Sequence, residues 1–140
     1  MTRKASAVWE GDLKSGKGSV STESGVLKGT QYSFSTRFEN GAGTNPEELI
    51  AAAHAGCFSM ALSAELGNAG MTPQKIETSA SLTLEKTPAG WTVTAIHLAT
   101  TATIPGADAA KFDNAAKAAK AGCPISRLLN TQITLEAKLA

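Results

Sequence analysis

The sequence predicts one α+β domain, residues 1–140, in which a long helix is combined with mostly antiparallel sheet. The length of 140 residues is typical of one domain. Apolar or small residues fill Leu49–Leu66 almost without interruption, which predicts a buried helix of about five turns. On both sides of this helix apolar and polar residues alternate, as they do in strands. The predicted order of elements is β-β-β-α-β-β-α-α-β, which is typical of an α+β fold.

Three strands are predicted before the long helix. Lys4–Glu10 and Ser19–Thr22 have strand character, and the glycine-rich segment Gly11–Gly18 between them predicts a hairpin turn. In Gln31–Phe38, aromatic side chains alternate with serine and arginine. This alternation predicts a half-buried third strand, with Arg37 on its polar side.

The long helix carries start and stop signals. Asn45 is a good N-cap, and Pro46 suits the first helical position. Glu47 is one of two acidic residues at the positive end of the helix dipole. Gly67 and Gly70 supply the stop signal. Because this helix has no polar face, it requires cover on every side.

Five further elements follow the long helix. The first two carry the alternation and the Thr, Val and Ile content of strands, joined by a Pro-Ala-Gly turn. An alanine-rich helix with lysines on one side comes next, and the last strand alternates again. The predicted elements are strand Ile76–Glu85, strand Trp91–Ile104, helix Asp108–Ala121, short helix Pro124–Leu129 and strand Thr131–Leu139.

Composition excludes several partner classes. The formal net charge is +1 with both signs interspersed, so we expect no nucleic-acid partner. The first residues lack the apolar segment of a signal peptide, which indicates a cytoplasmic protein. His54 and Glu65 interrupt the apolar run of the long helix, and no second candidate exists, so we expect no membrane span.

The two cysteines are the candidates for chemistry. Cys123 stands at the predicted start of a helix, where backbone N–H groups favour a thiolate. Cys57 lies in the long helix with His54 three residues before it, on the same face. A free cysteine is also commonly a small buried hydrophobic residue, so this alternative stays open. The sequence has no Cys-x-x-Cys motif and no set of four ligands, so we expect neither a metal nor a bound cofactor.

Five segments closely resemble the osmotically inducible protein C (OsmC) family, and the resemblance covers nearly the whole chain. The two most specific segments surround the cysteines, and the others lie before them. The five segments are Trp9–Asp12, Ser21–Leu27, Gly43–Leu49, Ala52–Leu62 and Ala121–Ser126.

The resemblance implies an antioxidant, stress-response thiol peroxidase that reduces organic hydroperoxides to alcohols. It implies that Cys57 is the peroxidatic cysteine and Cys123 the resolving cysteine. Arg37 would stabilise the thiolate and the peroxide, and Glu47 would hold Arg37. Attack would convert Cys57 to a sulfenic acid, which condenses with Cys123 to a disulfide. An external dithiol would reset the pair, and the family suggests lipoyl groups on proteins.

The resemblance also implies an intertwined homodimer with two long helices packed between antiparallel sheets. Helix geometry adds a hypothesis. Glu47 and Cys57 are ten residues apart, which is about 15 Å along one helix and on different faces. A glutamate and an arginine laid end to end barely span this distance. We therefore expect Arg37 and Glu47 of one subunit to serve Cys57 of the other.

Alternatives remain for two residues and for the function. His54 could be a base for Cys57, or a histidine bonded to a nearby group. Arg127 competes with Arg37 for the role of cation, or lies on a helix surface. The rival functions are a single-cysteine thiol hydrolase with His54 as base, and a non-enzymatic protein that binds a lipid or a partner.

Overall fold

The computed structural model describes residues 1–140 and contains six strands and four helices. Their order is β-β-β-α-α-β-β-α-α-β, so the predicted α+β class is confirmed, with one helix more than the sequence predicted. The residues divide into two units, Met1–Leu49 and Ile50–Ala140, with the boundary in the first turn of the long helix. Each unit is described by itself below.

The first unit contains an antiparallel sheet of β1 (Ala5–Glu10), β2 (Lys17–Thr22) and β3 (Thr30–Tyr32), in that order. The predicted hairpin between β1 and β2 is confirmed by their antiparallel pairing. Gly18 of β2 lies beneath the ring of Tyr32, since a Cβ at this position would come within 2.4 Å of a ring carbon. The absence of a side chain at residue 18 therefore lets the aromatic ring cover the strand.

The predicted strand Gln31–Phe38 is wrong beyond Tyr32, because residues Phe34–Phe38 form a short helix, α1. Ser33 caps this helix: its hydroxyl accepts a hydrogen bond from the Thr36 N–H at 3.3 Å. In return the Ser33 N–H donates to the Thr36 hydroxyl at 2.8 Å. This capping box gives the backbone an alternative to the strand ladder, and it outweighs the alternating pattern.

The long helix, α2, runs from Pro46 to Asn68. The predicted N-cap is confirmed, since the Asn45 side chain accepts a hydrogen bond from the Glu48 N–H at 2.8 Å. The helix ends in a turn at Gly70, whose φ of 77° is in the left-handed region that favours glycine.

Only one face of α2 is buried in the single chain. Its buried residues lie at intervals of four, at His54, Phe58, Leu62 and Leu66. Elsewhere on the helix several small residues are exposed, and the large apolar side chain of Met60 is 78% exposed. The helix is therefore not covered on every side within one chain.

By length and composition alone, α2 is also apolar enough to cross a membrane, since an 18-residue window within it has a mean hydropathy of 1.4. The core helix of a soluble protein meets the same criterion, so one such helix is weak evidence for a membrane span.

The second unit contains a mixed sheet in the order β4-β5-β6. β4 (Lys75–Thr87) and β5 (Gly90–Thr103) form the predicted antiparallel hairpin. β6 (Gln132–Leu139) pairs with β5 in parallel, so the sheet is not antiparallel throughout. A parallel pair requires a crossover of a dozen or more residues. Two helices, α3 (Ala109–Gly122) and α4 (Pro124–Leu128), provide this crossover.

The core of the second unit is formed by α2, β5 and α3. Its buried members include Phe58 and Leu62 of α2, Ile96 of β5 and Phe112 of α3. Cys123, between α3 and α4, is fully buried in the same cluster. The junction of the two crossover helices is therefore part of the core.

Candidate functional site

The two cysteines lie in contact. Their sulfur atoms are 2.9 Å apart, although the residues are 66 positions apart in the chain. Both are free thiols, and this distance is longer than the S–S bond of about 2.05 Å. Cys57 lies in the middle of α2, and Cys123 lies at the junction of α3 and α4. A small displacement would therefore bring the two sulfur atoms to bonding distance.

The junction fixes Cys123 through its backbone. Its N–H donates to the Ala119 carbonyl at 2.9 Å, which ends α3. Its carbonyl accepts from the Arg127 N–H at 3.0 Å, which begins α4. Pro124 occupies the first position of α4, where no N–H is required. Because both neighbouring helices hold the backbone of Cys123, its side chain has a defined direction toward α2.

Burial raises the pKa of the Cys57 thiol above its ordinary value. The neighbouring Cys123 raises this pKa further, and a hydrogen bond from the Ile125 N–H opposes the shift. No cation of the second unit is among these causes. Within this unit, Cys57 is therefore held as a neutral thiol at neutral pH.

The pKa of Cys123 is lowered. Burial raises it, but hydrogen bonds to the thiolate outweigh burial. These bonds come from the Cys57 thiol, the backbone N–H groups of Ser126 and Ile125, and the Ser126 hydroxyl. When both thiols are protonated, Cys123 donates to Cys57, and the direction reverses once Cys123 is ionised. Within this unit, Cys123 therefore ionises more readily than Cys57.

Arg37 and Glu47, both in the first unit, form an ion pair. The Arg37 Nη2 lies 2.5 Å from Glu47 Oε1, and its Nε lies 3.2 Å from both carboxylate oxygens. Asn45 aligns the two elements that carry them, since its side-chain amide donates to the Thr36 carbonyl at 3.1 Å. The two parallel contacts between Arg37 and Glu47 hold the guanidinium in one orientation.

An apolar cavity of about 240 Å³ lies beside Arg37 in the first unit. The guanidinium carbon of Arg37 also lies 5.1 Å from the centre of the Phe38 ring, so the charge is adjacent to an aromatic surface. The cavity is lined mainly by aromatic side chains and by the arginine: Trp9, Leu13, Tyr32, Phe34, Arg37 and Phe38.

His54 is fully buried, and its Nε2 lies 2.7 Å from the Ser126 hydroxyl. Its Nδ1 has no hydrogen-bond partner. Neither ring nitrogen is bonded to Cys57, which is the bond that a base for Cys57 would need. Arg127 is exposed on α4. No group of three or more His, Cys, Asp or Glu side chains is arranged to hold a metal.

Sequence reasoning missed Ser126, whose hydroxyl lies 2.7 Å from His54 Nε2 and which lowers the pKa of Cys123. Its spacing was a usable signal, because a serine three residues after a helix-starting cysteine lies one turn away from that cysteine. The alternating pattern also predicted a strand where Arg37 lies in a helix. The Ser33-x-x-Thr36 spacing could have indicated the cap of that helix.

Comparison with known proteins yields one family and several relatives. The sequence model of the family OsmC, described as OsmC-like protein, matches residues 39–138. The chain is 56% identical over 137 residues to the proteins named Peroxiredoxin OsmC from Escherichia coli (strain K12) and Shigella flexneri. The matched region covers 98% of this chain and 96% of each relative.

Two solved structures share the fold. One is the organic hydroperoxide resistance protein OhrB of Bacillus subtilis, with a TM-score of 0.68, 22% identity and 98% coverage of both chains. The other is an OsmC-like protein of unknown function from Vibrio cholerae, with a TM-score of 0.79 and 17% identity. It covers 98% of this chain and 99% of its own.

Proposed function

Because this chain belongs to the OsmC family, we propose that it is a cysteine-based peroxidase that reduces organic hydroperoxides to alcohols. The name of its 56%-identical relatives, peroxiredoxin, supports a peroxide-reducing redox function. The observation that carries the cysteine-based mechanism is the contact between the sulfur atoms of Cys57 and Cys123, at 2.9 Å. Two thiols this close can exchange between dithiol and disulfide without a large rearrangement.

The proposed reaction has three steps. The Cys57 thiolate attacks one peroxide oxygen and the O–O bond breaks, which leaves Cys57 as a sulfenic acid and releases an alkoxide that takes a proton to become the alcohol. The Cys123 thiolate then attacks the Cys57 sulfur and displaces hydroxide, which leaves as water after protonation. An external dithiol reduces the resulting Cys57–Cys123 disulfide to two thiols and is itself oxidised to a disulfide.

The first step requires a Cys57 thiolate, and burial works against it. We propose that the cation is Arg37 of the second subunit in a homodimer, oriented by Glu47 of that same subunit. A guanidinium within about 4–6 Å lowers a thiol pKa by about one to three units, which reverses the effect of burial. Its N–H groups can also donate to the peroxide and to the departing alkoxide.

The exposed part of α2 supports the homodimer. Met60 and the small residues around it lack cover in one chain, and a second copy of α2 would supply it. In the proposed dimer the two chains are intertwined, and each supplies its Arg37 to the Cys57 of the other.

The proposed substrate class rests on the cavity beside Arg37, and the proposed reductant rests on the family resemblance. The apolar cavity beside Arg37 suits the hydrocarbon part of an alkyl or fatty-acid hydroperoxide. The proposed mechanism needs no metal and no bound cofactor, because both redox equivalents are held by the cysteines. A dithiol, such as a lipoylated protein, is the proposed reductant, and the proposed location is the cytoplasm.

One equivalent of cumene hydroperoxide is expected to join Cys57 to Cys123 in the reduced protein. In Cys123→Ser the sulfenic acid has no partner, so with excess hydroperoxide Cys57 is expected to proceed to sulfinic and sulfonic acid, each of which consumes one further equivalent. Peptide mass spectrometry with and without prior reduction measures both products, and loss of hydroperoxide with added dithiol measures turnover.

The two rival functions predict different results in the same experiment. A single-cysteine hydrolase predicts that Cys123→Ser retains its full turnover. A binding protein predicts that neither cysteine is oxidised by one equivalent of hydroperoxide. Either result would contradict the proposed peroxidase.

A further inference from the structure

Two side-chain contacts join α2 to the segment that begins α4. The first is the contact between the sulfur atoms of Cys57 and Cys123, at 2.9 Å. The second is the hydrogen bond between His54 Nε2 and the Ser126 hydroxyl, at 2.7 Å. His54 precedes Cys57 by three residues, and Ser126 follows Cys123 by three residues. The two segments therefore run in opposite directions, with the two contacts about one helical turn apart.

Apolar packing alone does not fix the position of α4. This helix has five residues, Pro124–Leu128, and none of them is buried. Leu128 is 74% exposed, and Ile125 is only partly buried against the core. A helix of this length is not stable by itself, so contacts with its neighbours decide where it lies. The hydrogen bond from Ser126 to α2 is therefore a directional contact on an otherwise weakly packed element.

The burial of His54 makes this bond specific to one arrangement of the two helices. The residue is fully buried, and its Nδ1 has no partner, so Ser126 provides the hydrogen bond of the ring. A hydroxyl both donates and accepts, so the bond can form with either neutral tautomer. Sliding α4 along α2 would leave both ring nitrogens buried and unpaired, which costs free energy. A buried polar pair therefore selects one register, as an apolar side chain at residue 54 would not.

We propose that His54 and Ser126 are positioning residues for the redox pair: their hydrogen bond holds α4 against α2, so that Cys123 stays within reach of Cys57. A contact between two segments removes freedom that would otherwise be lost when the segments are joined covalently. The bond should therefore favour the disulfide over the dithiol. This inference rests on the proposed function, because it assigns the bond to the disulfide-forming second step of that reaction.

The equilibrium of the disulfide with glutathione tests this role. Glutathione disulfide oxidises Cys57 and Cys123 to the protein disulfide and is reduced to two glutathione molecules. Samples equilibrated over a range of glutathione ratios are quenched with acid, alkylated and analysed by mass spectrometry. We expect Ser126→Ala to lower the equilibrium constant for disulfide formation by about fivefold, the change that corresponds to one ordinary hydrogen bond. Ser126→Thr keeps the hydroxyl and should retain the wild-type constant.

Ser59→Ala is the matched control, because it removes a hydroxyl from the same helix two residues after Cys57. This hydroxyl lies 2.9 Å from the Ala55 carbonyl oxygen and 2.9 Å from the Thr78 hydroxyl of β4. It therefore joins α2 to the sheet and not to α4. We expect Ser59→Ala to lower the free energy of unfolding in urea, as Ser126→Ala does, and to leave the disulfide equilibrium constant unchanged.

A double-mutant cycle shows whether His54 and Ser126 act through each other. His54→Phe keeps a planar ring without hydrogen-bonding groups, and it should lower the equilibrium constant as Ser126→Ala does. If their mutual bond carries the effect, the double variant His54→Phe/Ser126→Ala should have the same constant as either single variant. Effects that add would overturn the proposal. If His54→Phe does not fold, the comparison of Ser126→Ala with Ser59→Ala gives the decision.

The positioning role would also be overturned by an unchanged constant in Ser126→Ala, or by an equal loss in Ser59→Ala. A raised constant in Ser126→Ala would overturn it as well, because a hydroxyl that only favoured the Cys123 thiolate would stabilise the dithiol form. No hydroperoxide is used, so the result is independent of peroxidase activity. The expected loss in a protein that consumes no hydroperoxide would support the positioning role and contradict the proposed function.

Discussion

Replacing Cys57 by serine is expected to lower dithiol-dependent turnover of cumene hydroperoxide by at least about a thousandfold. Serine does not ionise near neutral pH and cannot form the sulfenic acid that stores the peroxide oxygen. Loss of hydroperoxide at saturating dithiol is the measurement, and circular dichroism checks that α2 still forms. Cys123→Ser is the comparison, because it should lose sustained turnover and retain the first oxidation of Cys57.

The variants Cys57→Ser and Cys123→Ser also show which cysteine the hydroperoxide oxidises first. In the single chain the thiolate is favoured at Cys123 and disfavoured at Cys57, which is opposite to the order that the family resemblance implies. A Cys57→Ser protein that is oxidised at Cys123 by one equivalent of hydroperoxide would reverse the assignment. Unmodified Cys123 in that variant would support it.

Replacing Arg37 by alanine is expected to lower kcat/KM for cumene hydroperoxide by about a hundredfold or more, because the Cys57 thiolate and the departing alkoxide lose their cation. Glu47→Gln should have a smaller effect in the same direction, since the guanidinium remains but loses its bidentate partner. Arg127→Ala is the matched control for loss of an arginine, and its kcat/KM should equal that of the wild type.

Mixed dimers test whether Arg37 acts across the interface. Arg37→Ala and Cys57→Ser chains are each expected to be inactive alone. When the two are produced together, a dimer of one of each contains one complete site if Arg37 serves the partner's cysteine. Random pairing should then restore about a quarter of wild-type activity. No restoration would assign Arg37 to the Cys57 of its own chain, and a fully active monomer would exclude the dimeric site.

Local signals predicted most of the fold. The cap at Asn45, the glycine turn after α2 and the alternation of β4 and β6 each act within a few residues, so they are visible in the sequence. The prediction of a strand at Gln31–Phe38 was wrong beyond Tyr32, because another local signal, the helix cap at Ser33, competes with the alternating pattern over the same residues.

The parts that could not be predicted depend on tertiary contacts. Nothing local to Cys57 or Cys123 indicates that their sulfur atoms touch, since the crossover through α3 and α4 brings them together. The parallel pairing of β6 with β5 also depends on contacts between residues that are far apart in the chain. The raised pKa of Cys57 results first from burial, and the pKa shifts of both cysteines depend in part on the contact between them, which spacing alone does not reveal.

The separation of the two cysteines along the chain has a consequence for biosynthesis. Translation at about 5–20 residues per second takes roughly 3–13 s to add the 66 positions from Cys57 to Cys123. The crossover is then fixed only when β6, the last strand, has paired with β5. In a nascent chain on the ribosome, Cys57 is therefore a thiol without a partner. Cys123, which protects Cys57 from irreversible oxidation by forming a disulfide, is held in place only when the last strand has been made.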